Sequence, residues 1–286
     1  MAFKDKTAKG AMYIILSALF FAFMGLFVQL AGDLPSVQKS LFRNLVAGLV
    51  ALAMLIKEGE GFKWKSGNLL YLILRALFGT IGVLCNFYAL DHMILSDALM
   101  LNKLSPFFAV LFSFLLLREK ISLFQLFTVI IAFLGSLFII KPTPDLINPA
   151  SIIGLLGGMG AGAAYTMVRK LSVNGERKTY IVFFFSMFSC LCMLPYLIFN
   201  FKPMTGIQVF YLILAGLSAA LGQFSITTAY SYAPAKEISV YDYTQVIFTT
   251  LIGFLVFGTV PDMLSVIGYV VICFATVIMF LYNKAQ

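Results

Sequence analysis

The sequence predicts an all-α integral membrane protein of about ten transmembrane helices, arranged as two inverted five-helix repeats with both termini cytoplasmic. Three observations predict it. Residues 68 to 119 recur without a gap as residues 208 to 259, with Tyr71-Leu-Ile-Leu74 against Tyr211-Leu-Ile-Leu214, Gly82 against Gly222 and Ala89 against Ala229. Apolar residues make up 61% of the 286 and charged residues only 11%, where soluble domains carry roughly a quarter charged. With the loops counted alternately, fourteen Lys and Arg lie on one side and only Lys141 and Lys202 on the other. Cytoplasmic loops hold such an excess of basic residues.

The apolar segments run over approximately 10–31, 37–56, 68–90, 96–117, 122–140, 151–170, 180–199, 207–230, 237–258 and 263–282. Each is close to the ~20 residues that cross about 30 Å of hydrocarbon. Residues 1–141 form the first repeat and 142–286 the second. An odd number of spans per repeat makes the second enter the membrane in the opposite sense, and opposed repeats can exchange conformations about a shared central site.

The first span is too long for a cleaved leader and is kept as a helix, with Gln29 near its end. The second carries Lys39 and Arg43 at i and i+4, a gate or a pairing site for Glu119 or a lipid phosphate. In the third, Arg75, Gly79, Gly82 and Asn86 share one face, with Tyr88 following. The fourth holds Asn102, Lys103 and Pro106. The proline removes a backbone hydrogen bond near Asn102, leaving a substrate-facing carbonyl, a packing kink or a hinge. The fifth is plain apolar sequence.

Small residues crowd the sixth span from Gly154 to Ala164, before Tyr165. With no strand ahead of it, the run Gly154-Leu-Leu-Gly-Gly-Met-Gly is read as close helix packing, not a dinucleotide fingerprint. Tyr165 is grouped with Gln29 and Tyr88 as cavity lining. Cys190 and Cys192 in the seventh span, like Cys85 and Cys273, lack ligand spacing and are read as packing. The eighth span repeats the third but puts Ala215 for Arg75 and Ile226 for Asn86, which singles out Arg75 and Asn86. In the ninth, Glu237, Tyr241, Thr244, Gln245 and Thr249 form a polar stripe with Asp242 on its shoulder, either interhelical glue or a cavity wall. Glu237 is placed at the membrane edge, in solvent. The tenth is apolar throughout.

A charge at helix-centre depth costs about 2.5–3.5 kcal/mol on insertion scales and so faces a partner or a wet cavity. Arg43, Arg75, Lys103 and Asp242 are such charges. The repeat sets Asp242 opposite Asn102, next to Lys103, where substrate and proton would compete; the alternative is a buried structural ion pair. The net charge of +8 is accounted for by the loops and does not indicate nucleic acid. There is no nucleophile with a base, no metal cluster and no ATP-binding motif, so neither an enzyme nor a cofactor is expected.

Phe87-Tyr-Ala-Leu90, Asp97-Ala98, Leu104-Ser-Pro-Phe107 and Arg118-Glu119-Lys120, together with Arg43 and Arg75, resemble the first repeat of an EamA domain, the unit of the drug/metabolite transporter superfamily. The resemblance covers essentially the whole chain. It implies ten helices about a cavity lined by spans 1, 3, 4, 6, 8 and 9, and substrates among amino acids, carboxylates, nucleotide-derived metabolites and drugs. Two departures stand in the second repeat: Thr259 opposite Glu119 and Val246 opposite Pro106.

The expectation is a multi-pass protein of the cytoplasmic membrane that moves a small polar metabolite, an amino acid or organic anion, by alternating access and proton-coupled export. A multidrug or organic-cation exporter and an uptake carrier for a nucleotide-derived metabolite are the alternatives. A channel or lipid scramblase is more remote, because channels present rings of like groups. The candidate residues are Asp242, Lys103, Asn102, Arg75, Asn86, Arg43, Tyr241, Gln245, Tyr88, Tyr165 and Gln29. A small-molecule substrate, a coupling proton and the bilayer are the expected partners; a monomer suffices and a dimer is left open.

Overall fold

The computed structural model describes residues 2–93, 95–142, 149–258 and 260–285. Thr259 lies outside the described residues, as do the side chains of Asp91 and Asp97. Among the described residues there are helices and no strand, and ten spans are long and apolar enough to cross a membrane. Eight spans are single helices: α1 (Ala2–Leu30), α2 (Ser36–Glu58), α3 (Leu69–His92), α6 (Leu123–Ile140), α7 (Pro149–Val173), α8 (Lys178–Asn200), α9 (Gly206–Tyr232) and α12 (Met263–Ala285).

The other two spans are broken. The fourth is α4 (Leu95–Asn102) and α5 (Ser105–Leu117), parted at Lys103-Leu104. The ninth is α10 (Ala235–Ile238), a 3-10 turn over Ser239–Tyr243 and α11 (Thr244–Phe257). Pro106 therefore sits in the first turn of α5, where a missing N–H costs nothing; of the three roles the sequence left open for it, a kink in a continuous helix does not apply. Val246 occupies the matched position and the second break forms without a proline. The α-periodic stripe expected along the ninth span does not exist as one face, because the 3-10 turn resets the phase between Glu237 and Gln245.

The burial pattern is inverted relative to a soluble protein. Leu123, Phe199 and Leu255 are 86%, 85% and 71% exposed, while Arg43, Arg75, Lys103 and Asp242 are buried. In lipid an apolar exterior is solvated, and charge belongs inside. Helix ends are closed locally. Ser122 accepts from Gln125 N at 3.1 Å to start α6, and Asp262, at the matched place in the repeat, accepts from Ser265 N at 3.0 Å to start α12.

The repeats are interlocked. α3 packs on α7, and the equivalent pair α9 packs on α1; α12 packs on α6 and α2 on α8. The α3–α7 crossing is backbone against backbone: a Cβ on Gly82 would lie 2.9 Å from Ala161 N, and one on Gly157 would lie 3.0 Å from Asn86 N. In the α9–α1 crossing the Phe21 ring covers Gly222, 2.7 Å from where its Cβ would stand, and Ser17 Oγ donates to Gly222 O at 2.9 Å.

Candidate functional site

The two breaks face each other at equivalent positions of the repeats and meet at Lys103. Its Nζ donates to Asp242 Oδ2 at 3.1 Å and to Gln245 Oε1 at 2.7 Å, and its 3.4 Å approach to the Asp242 carbonyl adds a longer contact. Unwinding frees backbone groups and brings helix ends to mid-membrane depth, a common way of building a solute site in a bilayer. Lys103 is 5% and Asp242 8% exposed, so the pair is held almost out of water and links the first repeat to the second.

Around this pair lies a cavity of about 130 Å³. Spans 1, 3, 4, 6, 8 and 9 wall it through Phe21, Asn86, Asn102, Tyr165, Gln223 and Gln245, and Arg43 enters from span 2. The wall residues of α1 and α3 are Phe21, Met24, Gly82, Val83, Asn86 and Phe87, in the later halves of those helices. Toward the terminal end the Tyr165 ring stacks on Tyr230, with centroids 5.5 Å apart.

Arg43 is 7% exposed, and its Nε is buried without a hydrogen-bond partner among the described residues. Arg75 is 2% exposed and stands behind the wall. Its guanidinium lies 4.0 Å over the Phe185 ring and its Nη2 donates to Gln223 Oε1 at 3.0 Å. Both the cation–π contact and the amide bond offset the cost of burying that charge.

Of the eleven residues singled out from the sequence, Asp242, Lys103, Asn102, Asn86, Arg43, Gln245 and Tyr165 come together on one cavity. Arg75 reaches it only through Gln223. Three lie elsewhere. Tyr88 is 40% exposed and stacked on His92, with centroids 4.0 Å apart. Gln29 is exposed near the end of α1. Tyr241 has a buried hydroxyl with no partner among the described residues and borders an apolar crevice between α1 and α12 with Met12, Ile15 and Val277. Each was placed by counting along an ideal helix, which fixes depth but not which face meets a neighbour.

Gln223 was missed. Its repeat counterpart is Val83, so no symmetric signal marks it; the available signal was an amide one residue from Gly222 in an otherwise apolar run.

At the terminal end, polar contacts close the gap between repeats. Arg169 pairs with Glu119 at 3.3 Å and donates to Tyr230 O at 3.0 Å, while Ser113 also donates to Glu119. Glu119 is thus taken up by Arg169, not by the Lys39 and Arg43 pair suggested from the sequence. Glu237, expected in solvent, is 8% exposed and accepts from Thr7 Oγ1 at 2.7 Å. Glu176, 5% exposed, accepts from Lys65 N and Asn68 Nδ2, both at 2.9 Å. Outside the spans, Lys141 bridges to Asp262 at 2.5 Å, and this bond with those from Ser265 holds the Asp262 carboxyl down at about 2.

A model of the EamA-like transporter family matches residues 8–141 and again 148–281. A pseudopaline exporter of Pseudomonas aeruginosa is 31% identical over 277 residues, covering 96% of each chain. A riboflavin transporter of Vibrio cholerae is 29% identical, covering 91% of this chain and 89% of its own. Human solute carrier family 35 member G1 is 28% identical, covering 91% of this chain and 75% of its own. A solved crystal structure superposes with a TM-score of 0.83 over 96% of this chain and 98% of the other at 15% identity, a likeness of fold alone.

Proposed function

The chain belongs to the EamA-like transporter family, a family of membrane transporters and not of enzymes, and from that premise we propose that it carries a small polar metabolite with an anionic group across the cytoplasmic membrane. An amino acid or organic anion is the favoured cargo, moved by alternating access and exported against protons, with both termini in the cytoplasm. The observation that carries this reading is the charge balance of the cavity among the described residues: Arg43 and Lys103 on the wall and Arg75 behind it, against the single carboxylate of Asp242. Arg43 has a buried donor with nothing to bond. A buried cation without an acid partner costs several kcal/mol, and an anionic ligand is the simplest thing to offset it.

Asp242 supplies the coupling in this reading. Lys103 is shared between Asp242 and Gln245, so it can turn to the carboxylate of an amino-acid substrate while Asp242 takes that substrate's ammonium group; a proton on Asp242 competes with the ammonium group, as exchange against protons requires. Export is supported by the relative described as a pseudopaline exporter. A cavity of about 130 Å³ lies below the ~300 Å³ at which drug-sized pockets begin, which weighs against a multidrug role in this conformation.

The test is a thermal-shift screen of the purified protein against amino acids, organic acids, nucleotide-derived metabolites and cationic drugs at two pH values. Any hit is then followed by flux into vesicles under an imposed pH gradient. An amino acid or carboxylate hit whose flux saturates and follows the gradient is the expected result. Hits confined to lipophilic cations, strengthened at high pH, would replace this reading with multidrug export.

A further inference from the structure

Two cations of the first repeat direct their hydrogen bonds to glutamines of the second. Arg75 Nη2 donates to Gln223 Oε1 at 3.0 Å, and Lys103 Nζ donates to Gln245 Oε1 at 2.7 Å. Guanidinium and ammonium groups have donors only, so an amide that faces them must present its oxygen and turn its NH2 group away. Both glutamines line the cavity, whereas Arg75 does not. Its guanidinium is locked between Gln223 and the Phe185 ring. A cation on the amide oxygen also polarises the amide and strengthens its NH2 group as a donor.

We propose that Arg75 is a positioning residue, not a substrate ligand. It fixes Gln223 in the one amide orientation that offers NH2 to the cavity, as Lys103 does for Gln245, and these amides with Arg43 form a cradle for a substrate carboxylate. The cavity is small enough for Arg43, Gln223 and Gln245 to reach one ligand. Such a cradle discriminates. A carboxylate accepts from every donor, while a primary amide of the same shape sets NH2 against NH2 and leaves a buried donor unpaired. The cargo class is therefore a carboxylic acid rather than its amide, ester or amine. This rests on the transport reading only in taking the cavity as the substrate site.

The test uses the full-length protein in detergent and equilibrium binding of benzoate, glutarate and hippurate, each against its primary amide. The wild type binds at least one acid about tenfold or more tighter than its amide. Gln223→Leu and Arg75→Met each remove most of that ratio, and the double variant removes no more than either, because orientation and amide are one device. Arg75→Lys, which keeps a donor, restores part of the ratio. Gln223→Glu, which keeps an oxygen for Arg75 but sets a second one in the cavity, turns the preference toward the amide; this variant carries the test if Arg75→Met does not fold.

Losses that add in the double variant overturn the positioning role, since a charge acting by itself would add. A ratio unmoved by Gln223→Leu, or no acid bound by the wild type at millimolar concentration, overturns the cradle. An acid that binds but shows no flux in vesicles counts against the transport reading and leaves the cradle standing.

Discussion

The α3–α7 and α9–α1 crossings occupy the same place in the two repeats and are built differently. In the first, Gly82, Gly157 and Gly160 bring two backbones into contact with no side chain between them. In the second, the Phe21 ring fills the gap over Gly222, and a serine hydroxyl ties the helices. The paired breaks diverge in the same way: Lys103 and Asn102 in one are answered by Tyr243 and Asp242 in the other. The repeat thus conserves helix positions while assigning opposite chemistry to equivalent side chains. The shared site is polar in the literal sense, with cations from one half and the acid from the other.

The strongest challenge to that comparison is to move the acid. Asp242→Asn is expected to abolish gradient-driven flux while leaving a folded protein, and adding Asn102→Asp should not restore it, because the acid would then share a break with Lys103 instead of joining the halves. Flux in the swapped variant would show that the two copies are interchangeable. Next in size is the pair itself. Lys103→Met leaves a buried carboxylate without its partner and should cost about 3 kcal/mol, most of which Lys103→Met with Asp242→Asn recovers; chemical denaturation in mild detergent measures both.

Gly82→Ala presses a methyl group on the Ala161 backbone and should cost about 1–3 kcal/mol, whereas Gly222→Ala presses on a ring that can shift and should cost less than half of that. Equal losses would mean that the two crossings are equally rigid. The smallest effect concerns Lys141 and Asp262, which join α6 and α12 outside the membrane. The folded carboxyl titrates at about 2, below its ordinary 3.8. Its contribution is therefore fully present above 3.8 and lost as pH falls toward 2. Melting temperature should decline over that window in the wild type more than in Asp262→Asn.

The spans were legible because a bilayer demands about twenty apolar residues at a time, whatever the packing. The intramembrane charges were legible for the same reason: Arg43, Lys103 and Asp242 interrupt apolar runs, and all three stand on the cavity. What depended on helix phase was not. A continuous ninth helix would have aligned Tyr241 with Gln245; the 3-10 turn packs Tyr241 against α1 and α12 and brings Gln245 to Lys103. Gln223 and the true partner of Glu119 depend on which helices are neighbours, information that hydropathy does not contain.

The glycine crossing has a mechanical consequence. Where two backbones touch without interposed side chains, one helix can slide on the other without lifting a knob from a hole, as a shaft turns in a plain bearing. Phe21, seated over Gly222, acts instead as a detent, a catch that must be displaced before its crossing can move. Displacing that ring is a step in any rocking at this crossing, and Phe21→Ala should change how fast the protein moves between its states more than which state it prefers.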